Sequence, residues 1–364
     1  MKGILKKLLV VGVGSTLLGG ILFLVGCAGN GFDFTTFSSI QIKQEEYVES
    51  AGQNFTELSL SFETADFQVR FDENAEKVSV SYPQRQNRKG ENLSNIQIVE
   101  KESGLHVTET QQPHFTVFNF SNSQVILTLP KARVYNLSIH TDTGDIAFYG
   151  NGSFTSLSLE VSTGDVSLAS AVVETTLSVQ ATTGDLTLND ATANDIFVKA
   201  STGDVTLFGV STTGKLEVET STGDISLSNA AADSLSVKTT TGDVKLQTAA
   251  IVDDLTVKTD TGRVTLLGDV TASSISLVTD TGDIKANEAL LDGTNISITT
   301  DTGDVNATLV ASKHDYATTV DTDTGSKNIT SNLENILDGL LSPTRTLKVK
   351  TDTGDIKIYF SAEN

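Results

Sequence analysis

The sequence predicts an all-β chain: a single-domain parallel β-solenoid, or β-helix, of about twelve coils of roughly twenty residues each. An N-terminal transmembrane or signal helix and a short C-terminal capping helix complete the expected architecture. Three observations carry this prediction. At eleven regularly spaced points between Thr143 and Asp355 the chain repeats Thr-Gly, usually as Thr-Gly-Asp. The spacing stays near twenty residues, the size of one supersecondary unit that buries its apolar side only by stacking on copies of itself. Aliphatic residues alternate at period two on both sides of each glycine, the mark of strands with one buried face.

Residues 1–34 read as a membrane anchor or a lipoprotein signal plus linker. Leu8 to Gly26 carries no charge and follows Lys2, Lys6 and Lys7. Such a run can cross a bilayer, with the lysines kept on the cytoplasmic side and everything downstream outside. The segment ends Leu24-Val25-Gly26-Cys27, which resembles a bacterial lipobox in which Cys27 is lipidated. The apolar run exceeds the usual signal core and favours the uncleaved anchor, yet both readings place the repeats beyond the membrane.

Residues 35–136 read as an N-terminal β region with a degenerate first coil and a cap. Leu58, Leu60, Phe62, Thr64, Ala65, Asp66, Phe67 and Val69 fit the repeat template with alanine in the glycine slot. Longer strands follow at Val78 to Tyr82, Ile96 to Val99 and Val125 to Leu129. Solenoid ends need such covering, because an unpaired strand edge invites association.

Residues 137–364 hold the regular coils, with corner glycines Gly144, Gly164, Gly184, Gly203, Gly223, Gly242, Gly262, Gly282, Gly303, Gly325 and Gly354. Five residues before each glycine stands an aliphatic, and a second stands two before that except at Thr318. Two residues after the glycine the side chain is again aliphatic, with Lys327 the exception. Leu255, Val257, Thr259 and Thr261 are therefore expected on one face, with Val264 and Leu266 inside after the corner. A glycine at Gly262 lets the chain bend with φ > 0, and the preceding threonine is expected to bury its methyl while its hydroxyl bonds backbone. The remaining residues of each coil read as a return segment. The last interval is longer and contains Leu333, Ile336, Leu337 and Leu340 on one helical face. Ser331 and Glu334 form a capping-box pattern there, so a helical insert near 331–341 is expected to cover the core.

The net charge is −21; the three N-terminal lysines contribute +3, which leaves −24 beyond them. Such a surface repels nucleic acid and anionic headgroups, so no nucleic-acid partner is expected. Cys27 is the only cysteine, which excludes disulfides and thiolate metal sites from the repeats.

The repeated Thr-Asp-Thr-Gly-Asp-Ile corner, the apolar N-terminal segment, Leu127 to Pro130 and the coil beginning at Leu58 together resemble a known group over roughly residues 55–360. It is the bacterial β-strand-repeat family described as putative adhesins, domains of unknown function related to toastrack envelope-stress domains. The resemblance implies a membrane-tethered β-solenoid in a Gram-positive-type envelope, sometimes linked to envelope-stress signalling, and supplies no catalytic residues. Arg263 and Ser326 in the aspartate slot, and the long last coil, depart from the pattern.

Asp follows the glycine in nine of the eleven coils, and stacked carboxylates about 4.8 Å apart repel by about 0.9 kcal/mol per pair even at the dielectric constant of water. Backbone N–H bonds at each corner are the favoured compensation. A calcium ladder is the alternative, strongest at Asp280, Asp283, Asp301 and Asp304. Thr-x-Thr occurs in eight coils, but both threonines share the parity of the core, which argues against a flat exposed threonine array. His106, His114, His140 and His314 are scattered and the acids recur evenly instead of converging, so no enzyme is expected. The function expected is a non-enzymatic, adhesin-like envelope scaffold meeting an unknown surface protein or polymer. The alternative is a regulator of envelope-stress signalling that contacts a membrane sensor.

Overall fold

A computed structural model describes residues 40–87, 89–102, 104–111, 123–331 and 343–361. Within them the chain is all-β, and its strands join one open, unclosed 32-stranded sheet wound into solenoid-like coils. Each coil pairs in parallel and in register with its neighbour. The strand Asp254–Thr261 shows the rule: Leu255 lies opposite Leu235 on one side and Ile275 on the other, and Val257 opposite Val237 and Leu277. The apolar columns so formed are buried to within a few per cent of completely. Each buried Val or Leu contributes about 1.5–3 kcal/mol, and β-branched side chains suit the pleat, so the alternation in the sequence becomes the core.

A coil has two corners rather than one. After the glycine corner a short strand runs for four residues, as in Leu186–Asn189, and then a second bend leads to a third segment such as Thr192–Ala193. The bend residue has a positive φ at Gly150, Ser170, Asp190, Gly209, Asn229, Thr248 and Gly268. The segment expected to be a plain return is therefore a bend plus a third stacked strand. Ala191, Ala193, Val210, Ala230 and Ala249 from these segments close the core with small side chains.

Coils follow chain order through the middle of the molecule but not at its ends. Asn295–Thr302 pairs with Arg345–Thr353, and Arg345–Thr353 pairs on its other edge with Tyr316–Thr324. The Gly354 coil is thus inserted between the Gly303 and Gly325 coils. Thr318 and Lys327, the two polar exceptions in the core columns, both sit on the outermost coil, where the column has no further layer to fill. The N-terminal end is inverted in the same way. Glu57–Thr64 pairs in parallel with both Tyr135–Thr143 and Gly104–Gln111, so the strands Gly104–Gln111 and Gln124–Pro130 lie outside the Ala65 coil.

Antiparallel strands cover that outer layer. Ile40–Val48 runs against Ser79–Asn87, which meets Gln124–Pro130, and Ser94–Glu100 runs against Gly104–Gln111. Two buried charges pin the cap. Glu49 accepts the N–H groups of Phe55 (2.6 Å) and Val78 (3.1 Å) and a two-pronged contact from Arg133. Arg85 is buried against Glu109, the Thr64 carbonyl and the Ser123 hydroxyl.

The only helix among the described residues is the single turn Lys313–Asp315, held by a capping box from Ser312. No helix there is long and apolar enough to cross a membrane. The expected anchor at Leu8 to Gly26, Cys27, and the insert near 331–341 beyond Ser331 lie outside the described residues.

Candidate functional site

The recurring chemistry of the chain sits at the glycine corners, which stack into one column. Up to four hydrogen bonds join one corner to the next. Between the Gly223 and Gly242 coils, the Gly223 N–H donates to the Thr241 carbonyl (2.9 Å) and the Ile225 N–H to the Asp243 carbonyl (2.9 Å). The Asp243 N–H donates to Asp224 Oδ1 (2.7 Å), and the buried Thr239 hydroxyl donates to the Gly223 carbonyl (3.2 Å).

Glycine is required because the corners are in backbone contact. A Cβ on Gly262 would lie 1.9 Å from the Gly242 carbonyl oxygen, and its φ is +154°. Ala65 occupies the first slot without a left-handed φ and still donates its N–H to Thr143 O at 3.0 Å.

Two details differ from the sequence expectation. The buried threonine is the one three residues before the glycine, as in Thr259, while Thr261 is exposed. In-register pairing skips Asp260 and resumes at Thr261, so the alternation breaks two residues earlier than the glycine itself. The threonines next to the glycines therefore form an exposed in-register column, contrary to the inward placement expected. The carboxylate, in turn, accepts the N–H of the neighbouring coil rather than of its own corner. Asp145, Asp165, Asp185, Asp204, Asp224 and Asp243 all do so at 2.7–2.8 Å, the last to Arg263.

Of the four residues considered for calcium, Asp283 and Asp304 belong to this ladder and Asp280 and Asp301 to an exposed column beside it. Asp283 Oδ1 accepts the Asp304 N–H (3.1 Å), and its other oxygen lies 3.3 Å from Lys285 Nζ. That N–H and the lysine hold the Asp283 carboxyl below its ordinary pKa, and the Ser326 N–H and hydroxyl do the same for Asp355. Among the described residues no group of three or more His, Cys, Asp or Glu is arranged to hold a metal ion. His140 lies on the outer face, 3.2 Å from Asp142 and 3.4 Å from Glu160.

Sequence reasoning missed three features. The second bend had a signal, the Gly, Ser, Asp, Asn or Thr found six residues after the corner glycine. The buried Glu49 and Arg85 had none, because only the fold brings their partners together. A shallow concavity of about 360 Å³ on the outer face around Phe197 also went unseen, although Phe197 interrupts a run of serines.

No curated protein matches the chain. Among solved structures it is similar to a putative adhesin from Bacteroides fragilis at 15% identity, covering 69% of this chain and 97% of that one, with a TM-score of 0.41. It is similar to a putative adhesin from Parabacteroides merdae at 12% identity, covering 70% and 96%, with a TM-score of 0.24. A putative cell adhesion protein from Clostridium sporogenes matches at 12% identity over 88% and 100%, with a TM-score of 0.19. The family model described as Toastrack DUF4097 matches residues 55–269 and again 191–359. On that coverage the chain belongs to the Toastrack family.

Proposed function

We propose that this chain is a non-enzymatic envelope scaffold, anchored to the membrane by its N-terminal segment, whose coils stand outside and offer their faces to a surface protein or polymer. One observation carries this reading: the glycine that recurs at the regular corners, and the inner threonine and aspartate that recur at most of them, are committed to joining coil to coil. Glycine makes the corner contact, the inner threonine bonds a glycine carbonyl, and the aspartate bonds the next amide. What remains free to meet a partner is the outer face of each strand, where residue types vary from coil to coil. The large negative charge suits a solvated exterior protein that avoids anionic surfaces.

Location is tested by placing a cysteine at the exposed Thr261 in a Cys27→Ser background and labelling intact cells with a membrane-impermeant maleimide. Labelling without lysis is expected; labelling only after lysis would contradict the reading. Crosslinking from the same position then identifies the partner. Adducts with envelope polymers or surface proteins support the scaffold, and adducts confined to a membrane sensor favour the signalling alternative. The intact mass of the native chain separates a retained Met1 from a lipidated Cys27.

A further inference from the structure

We propose that the outer face of the Gly203 coil binds a neutral pyranose saccharide, with Phe197 as platform and Ser178, Gln180, Lys199, Glu217 and Glu219 as a hydrogen-bonding rim. The proposal rests on the surface-scaffold reading and gives it a ligand class.

On either side of this position the outer column is a run of small hydroxyl residues. It runs in register through Ser138, Ser158 and Ser178, and resumes at Ser236, Thr256, Ser276 and Ser297. Phe197 and Glu217 are adjacent interruptions in the middle of this run, opposite Ser178 and Ser236, while Lys348 and His106 stand in the column towards its ends. Stacking does not account for them. The core side of this strand is already filled by Ile196 and Val198, and a half-buried Phe197 has no aromatic partner among the described residues. Exchanging a hydroxyl for a ring on a wet face therefore gains little for the fold.

The surroundings of the ring fit a sugar. The concavity of about 360 Å³ falls within the usual range of small-ligand sites and is open to solvent on one side. Its rim is nearly neutral within a chain of net charge −21. Glu219 lies between Lys199 (3.0 Å) and Lys238 (3.3 Å), which leaves Glu217 as the free acceptor. A pyranose has one face of weakly positive C–H bonds, which lie well against the negative face of an aromatic ring. Its equatorial hydroxyls donate to carboxylates and accept from Lys199 and Gln180. A cationic ligand would be repelled by Lys199 and Lys238, and an anionic one would meet Glu217 and the net charge of the chain.

The test is a ligand-observed NMR titration of the full-length chain in phosphocholine micelles, which contain no sugar, with cellotetraose and tetra-N-acetylchitotetraose as probes. At least one probe is expected to bind, with a Kd on the order of 1 mM as befits an open site. Phe197→Ala should weaken binding by at least about tenfold, whereas Phe197→Tyr should stay within about twofold. Phe208→Ala, which removes the exposed ring on the other strand face of the same coil, should leave binding unchanged. The proposal is overturned if neither probe binds at about 20 mM, a concentration well above the expected Kd. It is also overturned if Phe197→Ala binds like the parent, or if Phe208→Ala weakens binding equally. Equal melting curves for all variants confirm that folding is not the cause. Failure here with surface labelling intact removes the saccharide site alone; failure of surface labelling removes the scaffold reading itself.

Discussion

Gly262 and its equivalents are fixed by contact, not by flexibility. A methyl group at Gly262 would overlap the Gly242 carbonyl, so Gly262→Ala is expected to destabilise the chain by about 3 kcal/mol or more, read as a lower thermal midpoint. Arg263 marks the converse case. A guanidinium has no acceptor, so the Asp283 N–H lacks the side-chain bond made at most other corners. Arg263→Asn restores an acceptor without placing another carboxylate in the ladder, at the loss of the exposed Arg263 cation, and is expected to stabilise by about 0.5–1 kcal/mol in denaturant titration. The ladder also sets a response to acid. Asp283 and Asp355 have carboxyls held below their ordinary value of 3.8, so the native state binds these protons more weakly than the unfolded chain does. Their contribution is complete above about pH 4 and disappears as pH falls through the lower native values. Thermal midpoints measured from pH 6 downwards should hold until about pH 4 and then drop. Replacing Asp283 and Asp355 with Asn should reduce that drop.

At the scale of the element, the N-terminal cap is tied directly to the first corner. In every regular coil the carbonyl before the glycine accepts an amide from the preceding coil, as Thr163 does from Gly144. The first coil has its carbonyl at Thr64, which accepts from the Arg85 guanidinium while Glu109 balances the charge. Arg85→Leu leaves the Glu109 carboxylate buried without its partner and should cost about 3–5 kcal/mol. The double replacement with Glu109→Leu should recover most of that. Hydrogen exchange should show the loss concentrated in Glu57–Thr64 and Gly104–Gln111 rather than in the distant coils, because each coil contacts only its neighbours. The repeat itself was legible in the sequence: Leu255 and Val257 announce a buried face, and Gly262 a corner. The position of the inner threonine was less so, because alternation counts parity and cannot register that pairing skips Asp260. Arg85 and Glu109 were not legible at all, since Arg85 lies in a cap strand outside the repeat and only the fold brings Glu109 to it.

At the scale of the molecule, both ends carry strands out of chain order. The strand Arg345–Thr353 ends up between two neighbours instead of forming an open edge. Periodicity reports how many coils exist and where each begins, but adjacency is decided by which strand edge a later coil can reach. The sequence left two traces of the outcome, Thr318 and Lys327, because polar residues in a core column are tolerated on the outermost coil. The central claim, parallel coils stacked corner on corner in the order Gly303, Gly354, Gly325, is tested most directly by paired cysteines in a Cys27→Ser background. Thr302 and Thr353 are register partners, as are Thr353 and Thr324, whereas Thr302 and Thr324 are separated by a whole coil. A disulfide needs Cα atoms about 4.4–6.8 Å apart, which adjacent strands satisfy and alternate strands do not. Oxidation should close Thr302→Cys with Thr353→Cys and Thr353→Cys with Thr324→Cys. A disulfide between positions 302 and 324, with none between 302 and 353, would contradict the account.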